Sequence, residues 1–436
     1  MSIAKRMPGR NWRIDAFRVA AALLIVAIHT SPLMIFSETA DFILTRVIAR
    51  VAVPFFLMVT GYFVLPRCLM PGRLLEKAGL SRAGRTPGEY FRDYERKQLL
   101  LYGFSILLYL PVNWYAGNLK GSFRISRVVG ELVFEGTFYH LWYLPGVILG
   151  LLLVYLAGRA FSYSGVLLLS FMLYLTGLGG DSYYGLVSQW EPAKAFYDWI
   201  FGVSPYTRNG VFFVPVFLWL GYGLARMGIL REMRRRGEEG GVRNAAGPDA
   251  ASLPGAYVGE TGFCVSFILM LAEGIWLHGK GWQRHDSMYV FLPAVMGFLF
   301  FLLVGKTPGS REGKTRGSGG VGARRERAEG DFHGRLPGLS LPTWTTWMYL
   351  LHPIGIILVR GAAKAVKFMP LIENSLLHYG AVVLVSGCLA AGFCVAVPLG
   401  KTLAARAFAG LGGFAEGAGT RGRRKGRIRA RRKRRD

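Results

Sequence analysis

Arg18 and His29 are the residues of this chain best suited to chemistry. Both lie in the apolar run RIDAFRVAAALLIVAIHTSPL, with ten residues between them. Along a helix, eleven steps of about 100° make roughly three turns plus ~20°, so both side chains fall on one face about 16 Å apart. A guanidinium can hold the anionic head of a long thin substrate, and an imidazole that titrates near neutral pH can take a proton at its far end. The plainer reading is that His29 bonds a neighbouring helix and Arg18 snorkels to lipid headgroups. The helix alone leaves both open.

The elements that must carry this pair are transmembrane. The 436-residue chain is 52% hydrophobic, and its apolar runs recur from end to end. This is the composition of an all-α polytopic membrane protein. About ten spans are predicted, at 14–33, 42–65, 98–114, 140–156, 165–180, 210–225, 261–278, 288–304, 343–361 and 376–399. A tight hairpin near Arg159 joins the fourth to the fifth. The first span is too long for a signal peptide and is read as retained.

The net charge of +27 would suggest nucleic acid in a soluble protein, but here it sits in loops and one tail. Loops 66–97, 226–260 and 305–342 hold eight, six and eight Lys or Arg, whereas loops 34–41, 181–209 and 362–375 hold none, two and two. That alternation predicts both termini in the cytoplasm. The chain divides into a cytoplasmic N-terminus (1–13), a membrane domain (14–399) and a basic tail (400–436). The tail is expected to contact anionic lipid headgroups, with no nucleic acid partner. Segments 231–255 and 306–338 are Gly-, Arg- and Glu-rich and are expected to lack order. Cys68, Cys264, Cys388 and Cys394 form no CxxC pair and read as small buried hydrophobes, with no metal site.

Further candidates follow. Asp15 lies three before Arg18 and can pair with it. Arg50 falls in the outer half of the second span, where an acceptor or an acidic partner would face it. His140, Trp142 and Tyr143 open the fourth span, a position usual for interfacial belt aromatics, although His140 could also line an acceptor site. Arg208 precedes the sixth span. His352 precedes Pro353, which frees backbone carbonyls that this histidine can satisfy, and it ranks behind His29.

RIDAFRVAAALLIVAIHTSP and RVAVPFFLMVTGYF together resemble the opening of the acyltransferase-3 family of integral membrane acyltransferases. The Arg-ten-His pattern falls on Arg18 and His29, the acidic residue on Asp15, and the second-span pattern on Arg50, Val53, Pro54, Phe55, Phe56, Thr60, Gly61 and Tyr62. FYHLWYLPGVILGLLLVYL, YTRNGVFFVPVFLWLGYGLA and MYLLHPIGIILVRG resemble the membrane half of vancomycin-resistance-type serine racemases, a branch of the same family. No racemase domain follows, so serine racemisation is not expected. Where the family carries an Arg-x-x-Arg pair, this chain has Arg92, Arg96 and Lys97, and Arg96 is the candidate for the acyl donor.

The resemblance implies an acyltransferase for groups other than aminoacyl groups. Its acyl-CoA, with acetyl-CoA the expected co-substrate, comes from the cytoplasm. The acceptor is a hydroxyl of an envelope glycan or lipid-linked sugar, and the setting a bacterial cytoplasmic membrane. Arg18 would dock the donor's phosphates, and the 16 Å step to His29 is about the reach of a pantetheine arm. His29 would act as base or as nucleophile. The alternative is a transporter or flippase for a small polar solute such as serine, the role supposed for the racemases' membrane half.

Overall fold

The computed structural model describes residues 11–117, 125–239, 253–305 and 340–397. The basic tail, segment 306–338 and the basic residues before Asn11 lie outside the described residues. Among the described residues the chain is helical, without strands.

Each predicted span falls on a helix: α1 (Trp12–Thr30), α2 (Glu38–Leu69), α3 (Pro87–Tyr115), α4 (Tyr143–Ala160), α5 (Tyr163–Gly180), α6 (Val214–Glu239), α7 (Leu253–Lys280), α8 (Leu292–Val304), α9 (Leu341–Ala365) and α10 (Ser375–Val397). Six of them, α2, α4, α5, α7, α9 and α10, are long and apolar enough to cross a membrane. The others are diluted by polar residues such as Arg18, Asn113 and Arg226, or are short, as α8 is at 13 residues.

Local chemistry sets the boundaries. Asn11 caps α1 by accepting from Arg13 N at 3.1 Å. The helix stops at Thr30, short of the predicted edge, because Ser31 turns left-handed (φ 48°) before Pro32. Thr86 and Glu89 close a capping box on α3, with Pro87 in its first turn. The hairpin near Arg159 is the two-residue link Phe161–Ser162, with Ser162 capping α5. Segment 231–255 departs from expectation: 231–239 continues α6, and 253–255 begins α7. Arg, Glu and Met are good helix formers and prolong the helix beyond its apolar part. The cysteines are all free, but only Cys68 and Cys394 are buried. Cys264 and Cys388 are exposed, on apolar helix faces that a bilayer would cover.

The described residues form two compact units: those up to 305 with Ile356–Val383, and 340–355 with 384–397. In the first, α2 and α6 cross with almost no space between their backbones. A Cβ on Gly61 would lie 2.0 Å from Leu218 O, and one on Gly221 would lie 2.2 Å from Met58 O. Small residues permit this approach, the usual device of helices packed in lipid. The start of α1 meets the end of α8, where Asn11 Nδ2 and Arg13 Nη1 donate to Leu303 O and Leu302 O at 2.9 and 3.2 Å. Phe55 of α2 packs on Phe17 of α1 and Phe300 of α8, at ring separations of 4.7 and 6.0 Å. In the second unit, Trp344 Nε1 donates to Gly387 O at 3.0 Å, and Trp347 packs on Phe393.

Candidate functional site

The α1 stripe forms as its spacing predicts. Arg18 Nη1 lies 3.3 Å from Asp15 Oδ1, and both side chains are largely buried. A carboxylate one turn earlier thus holds the guanidinium in place. Around it are hydroxyl groups from three other helices. Tyr94 of α3 and Tyr143 of α4 converge on the Thr60 hydroxyl of α2, and the charge of Arg18 acts on Tyr143. Arg18 therefore faces a polar neighbourhood inside the protein, not the lipid.

His29, three turns on, is half-buried. Its ring meets the edge of Tyr139 at 4.9 Å. Tyr139, itself half-exposed, leads to His140 at 5.5 Å, so the residues before α4 join the two predicted histidines through one tyrosine. The strand of chain after His29 is pinned by Ser375, which donates to Pro32 O at 2.9 Å and accepts from Ile35 N at 3.1 Å. Arg360 bears electrostatically on both Tyr139 and His378. Tyr139, Arg360 and His378 were missed in the sequence because nothing in their spacing ties them to α1.

A second polar cluster gathers where α2 begins. Within α2 the winding changes from π-helix at Ile43–Val47 to 3-10 helix at Ile48–Val51, and Arg46 and Arg50 lie on this distorted stretch. Pro54 has no N–H to offer the Arg50 carbonyl four residues back. The α7–α8 loop closes over them. Asp286 pairs with Arg46 at 3.7 Å, Tyr289 Oη donates to Arg46 O at 2.7 Å, and Ser287 Oγ accepts from Arg208 Nη1 at 3.1 Å. Arg208 also lies over the Trp142 ring, 4.6 Å from its centroid. The loop is held by Asp181, whose Oδ1 accepts from Ser287 N at 2.8 Å and Met288 N at 3.0 Å. Burial raises the Asp181 carboxyl to about 6, against the hydrogen bonds and Arg208. Burial, helped by Arg284 and Arg208, lowers His285 to about 4.

The fold thus brings the predicted Arg50, Trp142 and Arg208 together. His140 and Trp142 are buried, at 2% and 7% exposure, which corrects the expectation of belt anchors. Exposed Trp190, Phe196 and Trp199, in or beside the short helix Glu191–Val203, have the exposure of an interfacial belt instead. Arg96 is exposed, on a face of α3 away from buried Phe91 and Glu95. His352, in the second unit, bonds through Nδ1 to Tyr349 O at 2.7 Å. That carbonyl is the one Pro353 leaves without its helical N–H.

Among the described residues no group of three or more His, Cys, Asp or Glu side chains is arranged to hold a metal. A crevice of about 560 Å³ bounded by α6, α7 and α8 is mostly apolar and contains none of these site residues.

Comparison with known proteins identifies the family. The Acyl_transf_3 family, described as an acyltransferase domain, matches residues 11–400. An amino-acid racemase of Enterococcus faecalis is 34% identical over 377 residues, covering 86% of this chain and 45% of the relative. A second from the same organism is 39% identical over 291 residues, 67% of this chain and 35% of that protein. A serine/alanine racemase of Enterococcus gallinarum is 34% identical over 371 residues, 85% and 44% respectively. The chain therefore spans less than half the length of these relatives, over the part that carries the acyltransferase-3 region. No solved structure matches.

Proposed function

This chain belongs to the acyltransferase-3 family and is a multi-pass membrane protein, and from that premise we propose that it is an O-acyltransferase. It takes an acyl group, acetyl in the simplest case, from a cytoplasmic acyl-CoA. The acceptor is a hydroxyl of an envelope glycan or lipid-linked sugar. Both chain ends lie in the cytoplasm, about ten helices cross the bacterial cytoplasmic membrane, and the basic tail rests on anionic lipid.

The observation that carries this reading is the α1 stripe: a guanidinium fixed by Asp15 at one end and an accessible imidazole at the other. Arg18 binds the donor's phosphates, with Asp15 as its positioning residue. The pantetheine arm runs along α1 and brings the thioester carbonyl to His29. As a base, His29 takes the acceptor's hydroxyl proton while the oxygen attacks the carbonyl carbon. The C–O ester bond forms, the C–S bond breaks, and the thiolate leaves and takes up a proton. As a nucleophile, His29 would carry the acyl group first and pass it to the hydroxyl in a second step.

The competing reading is transport of a small polar solute. It draws on the relatives named as amino-acid and serine/alanine racemases, whose names point to amino acids, serine and alanine in the latter case. Release of free CoA separates the two. Purified protein given acetyl-CoA and an envelope extract should release thiol, and His29→Ala should not. A wild type that moves solute without releasing thiol would overturn the acyltransferase reading.

A further inference from the structure

Arg50 is the charge that neither chain neighbours nor packing explains. It is 9% exposed, and its Nε is buried without a hydrogen-bond partner. No carboxylate among the described residues contacts it. Of the acidic groups nearby, Asp286 pairs with Arg46, and Asp181 commits Oδ1 to the backbone of Ser287 and Met288 while its Oδ2 has no hydrogen-bond partner; its charge reaches Arg208 and Arg50 without contact. Positive charge is in excess around it. Arg46, Arg50, Arg208 and the loop's own Arg284 gather at the α7–α8 loop, where the described residues place three carboxylates, Asp181, Asp286 and Glu273, the last accepting from Val290 N and Phe291 N. A buried guanidinium without a counter-ion is costly, whereas two guanidinium forks suit a planar or tetrahedral oxyanion. The cluster is open to visitors, since Arg46 is exposed and Arg208 only half-buried.

We propose that Arg50 and Arg208 form a binding site for an oxyanion, a carboxylate or phosphate, carried by the molecule that accepts the acyl group. The acceptor is then an anionic molecule, bound at the end of the protein formed by the α7–α8 loop. The word acceptor rests on the acyltransferase reading, but the anion site does not.

The test uses the full chain in detergent without acyl-CoA. The thermal midpoint is followed against sodium phosphate and, separately, sodium acetate, with chloride at matched ionic strength. The expected result is a saturable rise of several degrees with at least one oxyanion. Whichever anion acts names the group as phosphate or carboxylate. Arg18→Gln should keep the rise, which separates this site from donor phosphate contacts, and Arg50→Gln should lose it. In chloride alone Arg50→Gln should melt no lower than wild type, because an uncompensated charge has gone; a purely structural arginine would give a lower midpoint. If Arg50→Gln does not fold, Arg50→Lys and Arg208→Gln carry the test and should each weaken the response about tenfold or more, the weight of a charge-assisted hydrogen bond. The proposal is overturned if neither oxyanion stabilises wild type beyond chloride, or if these variants respond as wild type does. Anion binding without acyl-CoA consumption would leave the site standing and remove the acyltransferase reading.

Discussion

Arg18 and Arg50 are both held inside the protein on the first two long helices, and they are neutralised differently. Arg18 has Asp15 one turn away on its own helix, at 3.3 Å. Arg50 has only more distant charges: Asp286, some 230 residues along the chain and paired with Arg46, and Asp181, which anchors the α7–α8 loop and does not touch it. A pair built into one helix is rigid and self-sufficient, which suits an arginine that must be aimed before its ligand arrives. An arginine left uncompensated by tertiary packing is completed by its ligand. The first end is read as donor-binding, the second as acceptor-binding.

The largest effect should come from the far end of the α1 stripe. His29→Ala should lower acyl transfer by ~10²–10⁴-fold, the usual weight of a general acid–base group, with the thermal midpoint little changed. His352→Ala should do the reverse, lowering the midpoint while the folded enzyme keeps its rate, because His352 serves the Tyr349 carbonyl. Rate loss in the second variant and none in the first would invert the assignment.

The two arginines should then separate kinetically. Arg18→Ala should raise the KM for acyl-CoA by about 10–100-fold, equivalent to one or two charge-assisted hydrogen bonds. Arg50→Ala should leave that KM alone and raise the one for acceptor. Steady-state titration of each substrate checks this, and equal effects on both would erase the distinction between the two ends.

Gly61 tests what the regions share, because α2 carries both Thr60 and Arg50. Gly61→Ala drives a Cβ against the Leu218 carbonyl and should cost about 1–3 kcal/mol. It should weaken both substrates together. A thermal midpoint unchanged by the substitution would show that α2 and α6 are less tightly packed than described.

The smallest effect concerns pH and the acceptor end alone. Asp181, raised to about 6, binds a proton in the folded state more readily than when unfolded. Acidification from pH 6 to 4 therefore stabilises the fold through this group. His285, lowered to about 4, acts oppositely: the unfolded chain takes up the proton first, and stability falls as pH drops from about 6.5 to 4. The two offset one another. Asp181→Asn removes the first and should lose more stability on acidification than wild type, by a few degrees in midpoint. A parallel pH profile would contradict it.

The α1 half of this arrangement was legible in the sequence because helical periodicity is local. The Arg18–His29 face and the Asp15 pair follow from spacing along α1, as the His352–Pro353 relation follows from spacing along α9. The Arg50 cluster was legible only as a buried charge needing a partner. Its surroundings depend on the α7–α8 loop, on Asp181 as that loop's anchor, and on a change of winding in α2, none of which has a periodic signal. His140 and Trp142 read as belt aromatics but are buried, since aromatic type alone does not separate a belt from a core.

The central claim is that a thioester is consumed at His29. It is tested most directly with the purified full chain in liposomes, given acetyl-CoA labelled in the acetyl group and an envelope extract. Free thiol and label in the extract should rise together, and neither should rise with His29→Ala. Solute accumulating inside the liposomes with acetyl-CoA left intact would contradict it.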